Sequence, residues 1–311
     1  MFRLSFAPSY ICRAGAPGGG GQIAMAQSVK SARRWYAEEL RVSANVRSRA
    51  VIDAFATVPR ERFVGPGPWH IKSPMRMGDY WTTADADPRH VYHDALIALD
   101  EARGINNGQP SLWVALFDQL GIMAGERVLH LGCGTGYYTA IAAELVGDTG
   151  EVTAIEIDVA LAEQARVALA PWRRVSVLNA DGSSALLDPA DMIIVSAGAT
   201  HPLPAWLDAL SSRGRLLLPM TTEGQWGGML LVTRQSVDAY AARFLCPAGF
   251  IEFSGARDPE ISRRLAAAFE RDRGIPVKSL RRAPDKPDET CWLAGEGWWL
   301  STADIDGNPS S

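Results

Sequence analysis

Three glycines at alternate positions, Gly132, Gly134 and Gly136, follow the short apolar run Arg127-Val128-Leu129-His130-Leu131. Two acids come later in the chain, each about two dozen residues after the previous feature: Glu156 in Ile155-Glu156-Ile157-Asp158 and Asp181 in Asn179-Ala180-Asp181-Gly182. A strand ending in a glycine turn can bring backbone amides close to a ligand, because glycine accepts the sharp bends that a Cβ opposes. A carboxylate at the tip of the next strand can accept both hydroxyls of a ribose. An acid-glycine pair at the tip of the third strand can receive an adenine amino group. Each feature alone has a plain structural alternative, a tight turn without a ligand or a solvated or capping acid. One per strand tip, in chain order, they describe a nucleoside site.

The spacing of the turn separates the possible ligands. Dinucleotide sites read GxGxxG, and phosphate loops end in GK[ST]. This turn reads GxGxG without a basic residue, so a ligand with ribose and adenine but no pyrophosphate fits, and that ligand is S-adenosylmethionine. Gly132, Cys133, Gly134 and Gly136 are assigned to its methionine end, Glu156 to the ribose, and Asp181 with Gly182 to the adenine. A nicotinamide-dependent oxidoreductase would share the sheet, and the same spacing argues against it.

The elements that must position these residues alternate along the chain. Strand patterns at RVLHL, VTAIEI, VSVLNA, DMIIVSAG and RLLLPM are separated by helical ones at Thr139–Val146, Val159–Leu169 and Pro204–Leu210. Such alternation predicts parallel strands joined by crossovers. GGMLLVTR and AYAARFLC follow without a helix between them, which predicts an antiparallel hairpin at one edge. The expected fold is therefore α/β, a doubly wound, Rossmann-like, mostly parallel seven-stranded sheet, with an N-terminal helical cover and a small C-terminal extension.

The expected boundaries are a disordered leader or mis-assigned start at 1–25, a helical and irregular cover at 26–104, the cofactor-binding core at 105–257 and an α+β extension at 258–311. Within the cover, helix is expected from Ser28 to about Val58, and a largely irregular covering segment from Ile71 to Gly104. The extension carries CWLAGEGWWLS, in which glycines can turn a hairpin. Its tryptophans could form a substrate platform or pack against the sheet.

Bulk properties bound the function. A chain of 311 residues can bury a substantial core, and a net charge of −4 offers no electrostatic case for nucleic acid or an anionic membrane. No run approaches the ~18 apolar residues that a membrane helix needs. Cys12, Cys133, Cys246 and Cys291 show neither CxxC nor metal-ligand spacing, which predicts a reduced compartment, no disulfide framework and no metal. The oligomeric state is left open.

From about Val51 to Gly255 the chain resembles the protein-L-isoaspartate O-methyltransferases, a family of class I S-adenosylmethionine-dependent methyltransferases. The resemblance rests on Val58-Pro59-Arg60-Glu61-Arg62-Phe63-Val64, similar to the family's VPRExFV, and on Tyr92-His93-Asp94, similar to its YxD. It rests also on the interval from Gln109-Pro110 to Arg127-Val128-Leu129, and on the block from Ala190 to Met220. It implies methyl transfer to the carboxylate of an isoaspartyl residue, a protein-repair reaction in the cytoplasm. That chemistry needs no general base, since a carboxylate with a pKa near ~4 is already ionised at neutral pH.

One segment departs from the family, whose substrate loop reads TISxP with a serine that touches the reacting carboxylate. Here the loop is Asn106-Asn107-Gly108-Gln109-Pro110, and the serine position falls on Gly108. Asn106, Asn107 and Gly108 become the candidate catalytic residues, with the two amides as possible donors to the acceptor. Gln109 and His201 are the candidate substrate contacts, His201 competing with an ordinary loop histidine. A different peptide or small-molecule acceptor, or a cofactor-binding protein without catalysis, remain alternatives. Cys133 reads as a small filler, His130 as a packed core imidazole, and Trp113 as either a cover for the adenosine or core packing.

Overall fold

A computed structural model of the chain describes residues 19–74, 78–236 and 238–305. The first elements are two helices, α1 (Gly19–Ser43) and α2 (Arg49–Thr57). Ser48 caps α2 by accepting the Val51 amide, and Val51, Ile52, Ala54 and Phe55 supply its buried face. The helix expected from Ser28 thus begins at Gly19 and breaks near Ser43. The expected leader lies outside the described residues as far as 18.

The segment expected to be irregular forms a small antiparallel sheet: β1 (His70–Lys72), β2 (Trp81–Thr82), β3 (Leu96–Asp100) and β4 (Ile105–Asn106), in the order β2-β1-β3-β4. Strands of two to five residues are too short to show an alternating pattern, so the sequence does not announce them.

The core follows as α3 (Pro110–Leu120), β5 (Arg127–Leu131), α4 (Tyr137–Val146), β6 (Glu151–Glu156), α5 (Val159–Leu169), β7 (Val175–Asn179), β8 (Ala190–Val195), α6 (Pro204–Asp208), β9 (Leu210–Thr221), β10 (Trp226–Arg234) and β11 (Tyr240–Gly249). The chain ends in α7 (Pro259–Asp272), β12 (Ser279–Arg282), β13 (Cys291–Gly295) and β14 (Trp298–Ser301). Strands β5 to β9 pair in parallel, whereas β10, β11 and the last three strands pair antiparallel.

The large sheet has ten strands in the order β13-β14-β12-β11-β10-β9-β8-β5-β6-β7. The seven strands expected are present, and the β10–β11 hairpin is interior rather than at an edge. The reason lies in the extension, whose β12 pairs Leu280 with Tyr240 and so covers the edge that β11 would expose. Trp292, Trp298 and Trp299 are buried, and Phe244, Phe269 and Trp292 form a ring cluster with centroids 5.1–5.6 Å apart. Packing is thus what these tryptophans do. Among the described residues, no helix is long and apolar enough to cross a membrane.

Both faces of the sheet are buried. Val128, Met192 and Ile194 point into one core with α1 to α4, while Leu129, Leu131, Ile193 and Val195 point into the other with α6 and α7. Strand order reverses between β5 and β8, so the carboxyl ends of these two strands flank the crevice where ligands bind in open sheets of this kind.

Candidate functional site

A cavity of about 1000 Å³ opens at that crevice. Its floor is the turn after β5. Gly132, Gly134 and Gly136 have φ of +72°, +57° and +92°, a conformation that side chains with a Cβ resist, and this is why the turn needs glycine. The amides of Gly132 and Cys133 reach back to the Ile155 carbonyl at 2.8 and 3.2 Å. The Gly134 amide donates to Glu156 Oε2 at 2.7 Å, and Gly136 opens helix α4.

Parallel pairing sets the acids. Leu131 lies beside Ile155, and Glu156 beside Asn179, so the tips of β5, β6 and β7 end together. Glu156 is buried, with Oε1 accepting the Asp158 amide at 3.0 Å. A carboxylate has about four lone-pair sites, so two backbone bonds leave capacity for two hydroxyls. Asp181 Oδ1 accepts the amide and hydroxyl of Ser183 at 2.8 and 2.7 Å, which fixes the carboxyl, and Asp181 and Gly182 both line the cavity. Asp158 caps α5 through the Leu161 amide and pairs with Arg103. The Arg103 hydrogen bond is the main cause of its lowered pKa.

The opposite wall is assembled from distant segments. Arg60, fully buried, donates Nε to Asn107 Oδ1 (3.1 Å), Nη1 to the carbonyls of Val91 (2.9 Å) and His93 (2.8 Å), and Nη2 to Ala95 (2.7 Å). One guanidinium therefore ties the Pro59–Phe63 segment, the Tyr92-His93-Asp94 segment and the asparagine loop together. Asp94 then accepts the Ser111 amide at 2.9 Å at the start of α3. Arg60 was visible in the sequence as part of a motif, but its role in holding the loop was not.

That wiring decides what the loop offers. Asn106 Oδ1 accepts the Gly108 amide at 2.9 Å, and Asn107 is buried with its oxygen on Arg60. Gln109 Nε2 donates to Ser111 Oγ at 2.7 Å. Gly108 has φ +75°, and a Cβ there would lie 2.9 Å from both Trp113 Nε1 and Tyr138 Cε2. Trp113 and Tyr138 stack at 4.7 Å, and Tyr138 Oη donates to the Gly108 carbonyl at 3.3 Å. The aromatic pair fills the space that a loop side chain would need. Trp113 is both buried in the core and part of the cavity lining. Trp226, largely exposed, stands at the rim.

Asn106, Asn107, Gly108, Gln109, Gly132, Cys133, Gly134, Glu156, Asp181 and Gly182 all line the cavity. His201 does not. It stacks on Trp298 at 6.3 Å with its Nδ1 2.9 Å from Thr200 Oγ1, and burial lowers its pKa. The Cys133 thiol is buried and its pKa raised, first by that burial and then by Glu156, which leaves it a poor nucleophile. His130 is buried between Thr139 Oγ1 (2.8 Å from Nδ1) and Ser196 Oγ (2.7 Å from Nε2), and burial lowers its pKa to about 3, so it is neutral. Ser196 sits at the tip of β8, in the same strand-tip layer as the acids, and that register was the signal available in the sequence.

Comparison with known proteins bears on this geometry. The family described as Protein-L-isoaspartate(D-aspartate) O-methyltransferase (PCMT) matches residues 33–253. A Protein-L-isoaspartate O-methyltransferase 1 from Rhodopseudomonas palustris (strain HaA2) is 32% identical over 214 residues, 68% of this chain and 78% of the relative. A Protein-L-isoaspartate O-methyltransferase from Methanothermobacter thermautotrophicus is 27% identical over 227 residues, 72% of this chain and 95% of the relative. A solved protein-L-isoaspartate O-methyltransferase superposes with a TM-score of 0.60 at 20% identity over 86% of this chain and 87% of its own, a likeness of fold.

Proposed function

The chain belongs to the protein-L-isoaspartate(D-aspartate) O-methyltransferase family, and from that premise we propose that it methylates the carboxylate of an isoaspartyl residue in a protein or peptide, using S-adenosylmethionine. The observation that carries the cofactor half is the bond from the Gly134 amide to Glu156, with Asp181 on the neighbouring strand tip and the whole facing the cavity. A volume of about 1000 Å³ stands at the upper end of the roughly 300–1,000 Å³ of small-molecule sites, room for a nucleoside and part of a second molecule.

When bound, S-adenosylmethionine supplies a methyl group already activated on a sulfonium. Gly132 and Gly134 would border its methionine end, with Gly136 shaping the turn, Glu156 would accept the ribose hydroxyls, and Asp181 with Gly182 would receive the adenine. The loop Asn106–Gln109 borders the acceptor as a wall, its shape set by Gly108 and Arg60. Because an acceptor carboxylate is already ionised at neutral pH, no side chain would need to take a proton from it. The protein's task is alignment and exclusion of water, which can supply roughly 7–11 kcal/mol. The reading includes a cytoplasmic setting, supported by the free thiols Cys133, Cys246 and Cys291.

The test is transfer of label from S-adenosylmethionine to a synthetic isoaspartyl peptide and to its normal aspartyl twin. Base-labile methyl ester on the isoaspartyl peptide alone is the expected result. Cofactor binding without ester on that peptide would mean a different acceptor, or a protein that binds the cofactor without turning it over.

A further inference from the structure

We propose that Ser196 donates a hydrogen bond from its hydroxyl to the acceptor carboxylate, and that His130, in its Nε2–H form, is the positioning residue that leaves that O–H free to do so. The inference rests on the methyl-transfer reading above. Ser196 is only partly buried and lines the cavity at the tip of β8, across the switch point from Glu156. Ser196 lies beside the glycine turn, its backbone 3.9 Å from where a Cβ on Gly132 would be, and the His130 ring that holds its hydroxyl is 6.4 Å from Trp113, which abuts Gly108, so Ser196 and the acceptor loop share one cavity.

The neighbouring hydroxyls have less to give. Gly108 has no side chain and the Thr135 hydroxyl is spent on the Phe63 carbonyl, while Asn106 and Asn107, whose oxygens are engaged on Gly108 and Arg60, keep only their amide N–H groups as donors. Gln109 bonds Ser111, and Tyr138 bonds the Gly108 carbonyl. Of the hydroxyls named here, Ser196 is the one held by a group that can leave its proton unused.

The tautomer follows from burial. A neutral imidazole carries one donor and one acceptor nitrogen. Thr139 is fully buried, and His130 is its side-chain partner. If Nδ1 carried the proton, the Thr139 hydroxyl hydrogen would be buried without an acceptor, which is costly. If Nε2 carries it, Thr139 donates to Nδ1, Nε2–H donates to Ser196, and the Ser196 proton points to whatever fills the cavity. Removal of a hydrogen bond to a charged acceptor should lower turnover about 10–100-fold.

Two measurements test this, and they fail independently. In the first, Ser196→Ala should lower kcat/KM for the isoaspartyl peptide about 10–100-fold with S-adenosylmethionine affinity unchanged. Ser196→Thr should retain most activity. Thr139→Val, which releases Nδ1 from its donor, should act in the same direction as Ser196→Ala. Unchanged kcat/KM in Ser196→Ala, or a loss matched by an equal loss of cofactor affinity, would overturn the proposal. The second measurement is the ¹⁵N NMR tautomer of His130 in the wild-type protein, its signal assigned by His130→Gln among the five histidines. Nε2–H is expected, and Nδ1–H would overturn the proposal whatever the substrate. Nε2–H together with no methylation of the isoaspartyl peptide would overturn the acceptor assignment and, with it, the proposed function.

Discussion

The two walls of the cavity are made by different means. The wall proposed for the cofactor comes from the tips of three adjacent parallel strands, where the pairs Leu131–Ile155 and Glu156–Asn179 put the glycine turn and both acids in one layer. The wall proposed for the acceptor comes from segments far apart in the chain, joined by contacts such as Arg60 to Asn107 and Arg60 to Val91. The first wall is a consequence of strand register and would survive many changes around it. The second depends on one buried cation and one aromatic stack, so small changes should distort it while the cofactor wall stands.

The largest expected effect concerns His130, which touches both walls. Its pKa is about 3 in the folded protein, against about 6.5 when unfolded. Between those values the unfolded chain binds the proton and the native state does not, so stability rises with pH across this window and is lost as pH falls through it. Roughly 5 kcal/mol is at stake by pH 3. Urea titrations at pH 7 and pH 4 should show the loss, and His130→Gln should flatten the dependence. An unaltered slope in that variant would assign the acid sensitivity elsewhere.

Arg60→Met should come next, at about 4 kcal/mol, because several buried acceptors lose their donor together. Peptide turnover should fall well before cofactor affinity does. Equal losses in both, measured by calorimetry and steady-state kinetics, would show that the two walls are not separable. Glu156→Ala attacks the other side and should weaken S-adenosylmethionine binding by about 2–3 kcal/mol through lost charge-assisted bonds. The peptide KM, taken at saturating cofactor, should stay where it was. Unchanged cofactor affinity would sink the ribose assignment.

Gly108→Ser sharpens the comparison most finely. It restores the residue type of the family's loop, yet φ +75° and the 2.9 Å approaches to Trp113 and Tyr138 oppose any side chain there. A cost of about 1–2 kcal/mol in stability is expected, with lower rather than higher peptide turnover. A gain in turnover would mean that the aromatic pair moves aside and that the loop, not Ser196, is the proper source of the hydroxyl.

The layer proposed to hold the cofactor could be read from order and spacing, since GxGxG, Glu156 and Asp181 occupy successive strand ends and the helix and strand patterns between them are long enough to register. The short strands of the cover could not, because two to five residues carry no period. The interior place of β10 and β11 could not either, since pairing with β12 joins segments that no local pattern connects. His201 shows the limit from the other side. Its position just after a strand tip is right for an acceptor contact, but the extension brings Trp298 against it and holds it away from the cavity.

By itself the sequence determined the parallel sheet and the layer in which the glycine turn, Glu156 and Asp181 meet, because strand register converts linear spacing into a fixed layer. Only the tertiary structure decided the acceptor wall: that Arg60 holds the asparagine loop, that Trp113 and Tyr138 occupy the space over Gly108, and that His130 reaches Ser196. Those are contacts between segments dozens of residues apart, and which of them form is settled by packing, not by any local preference of the chain.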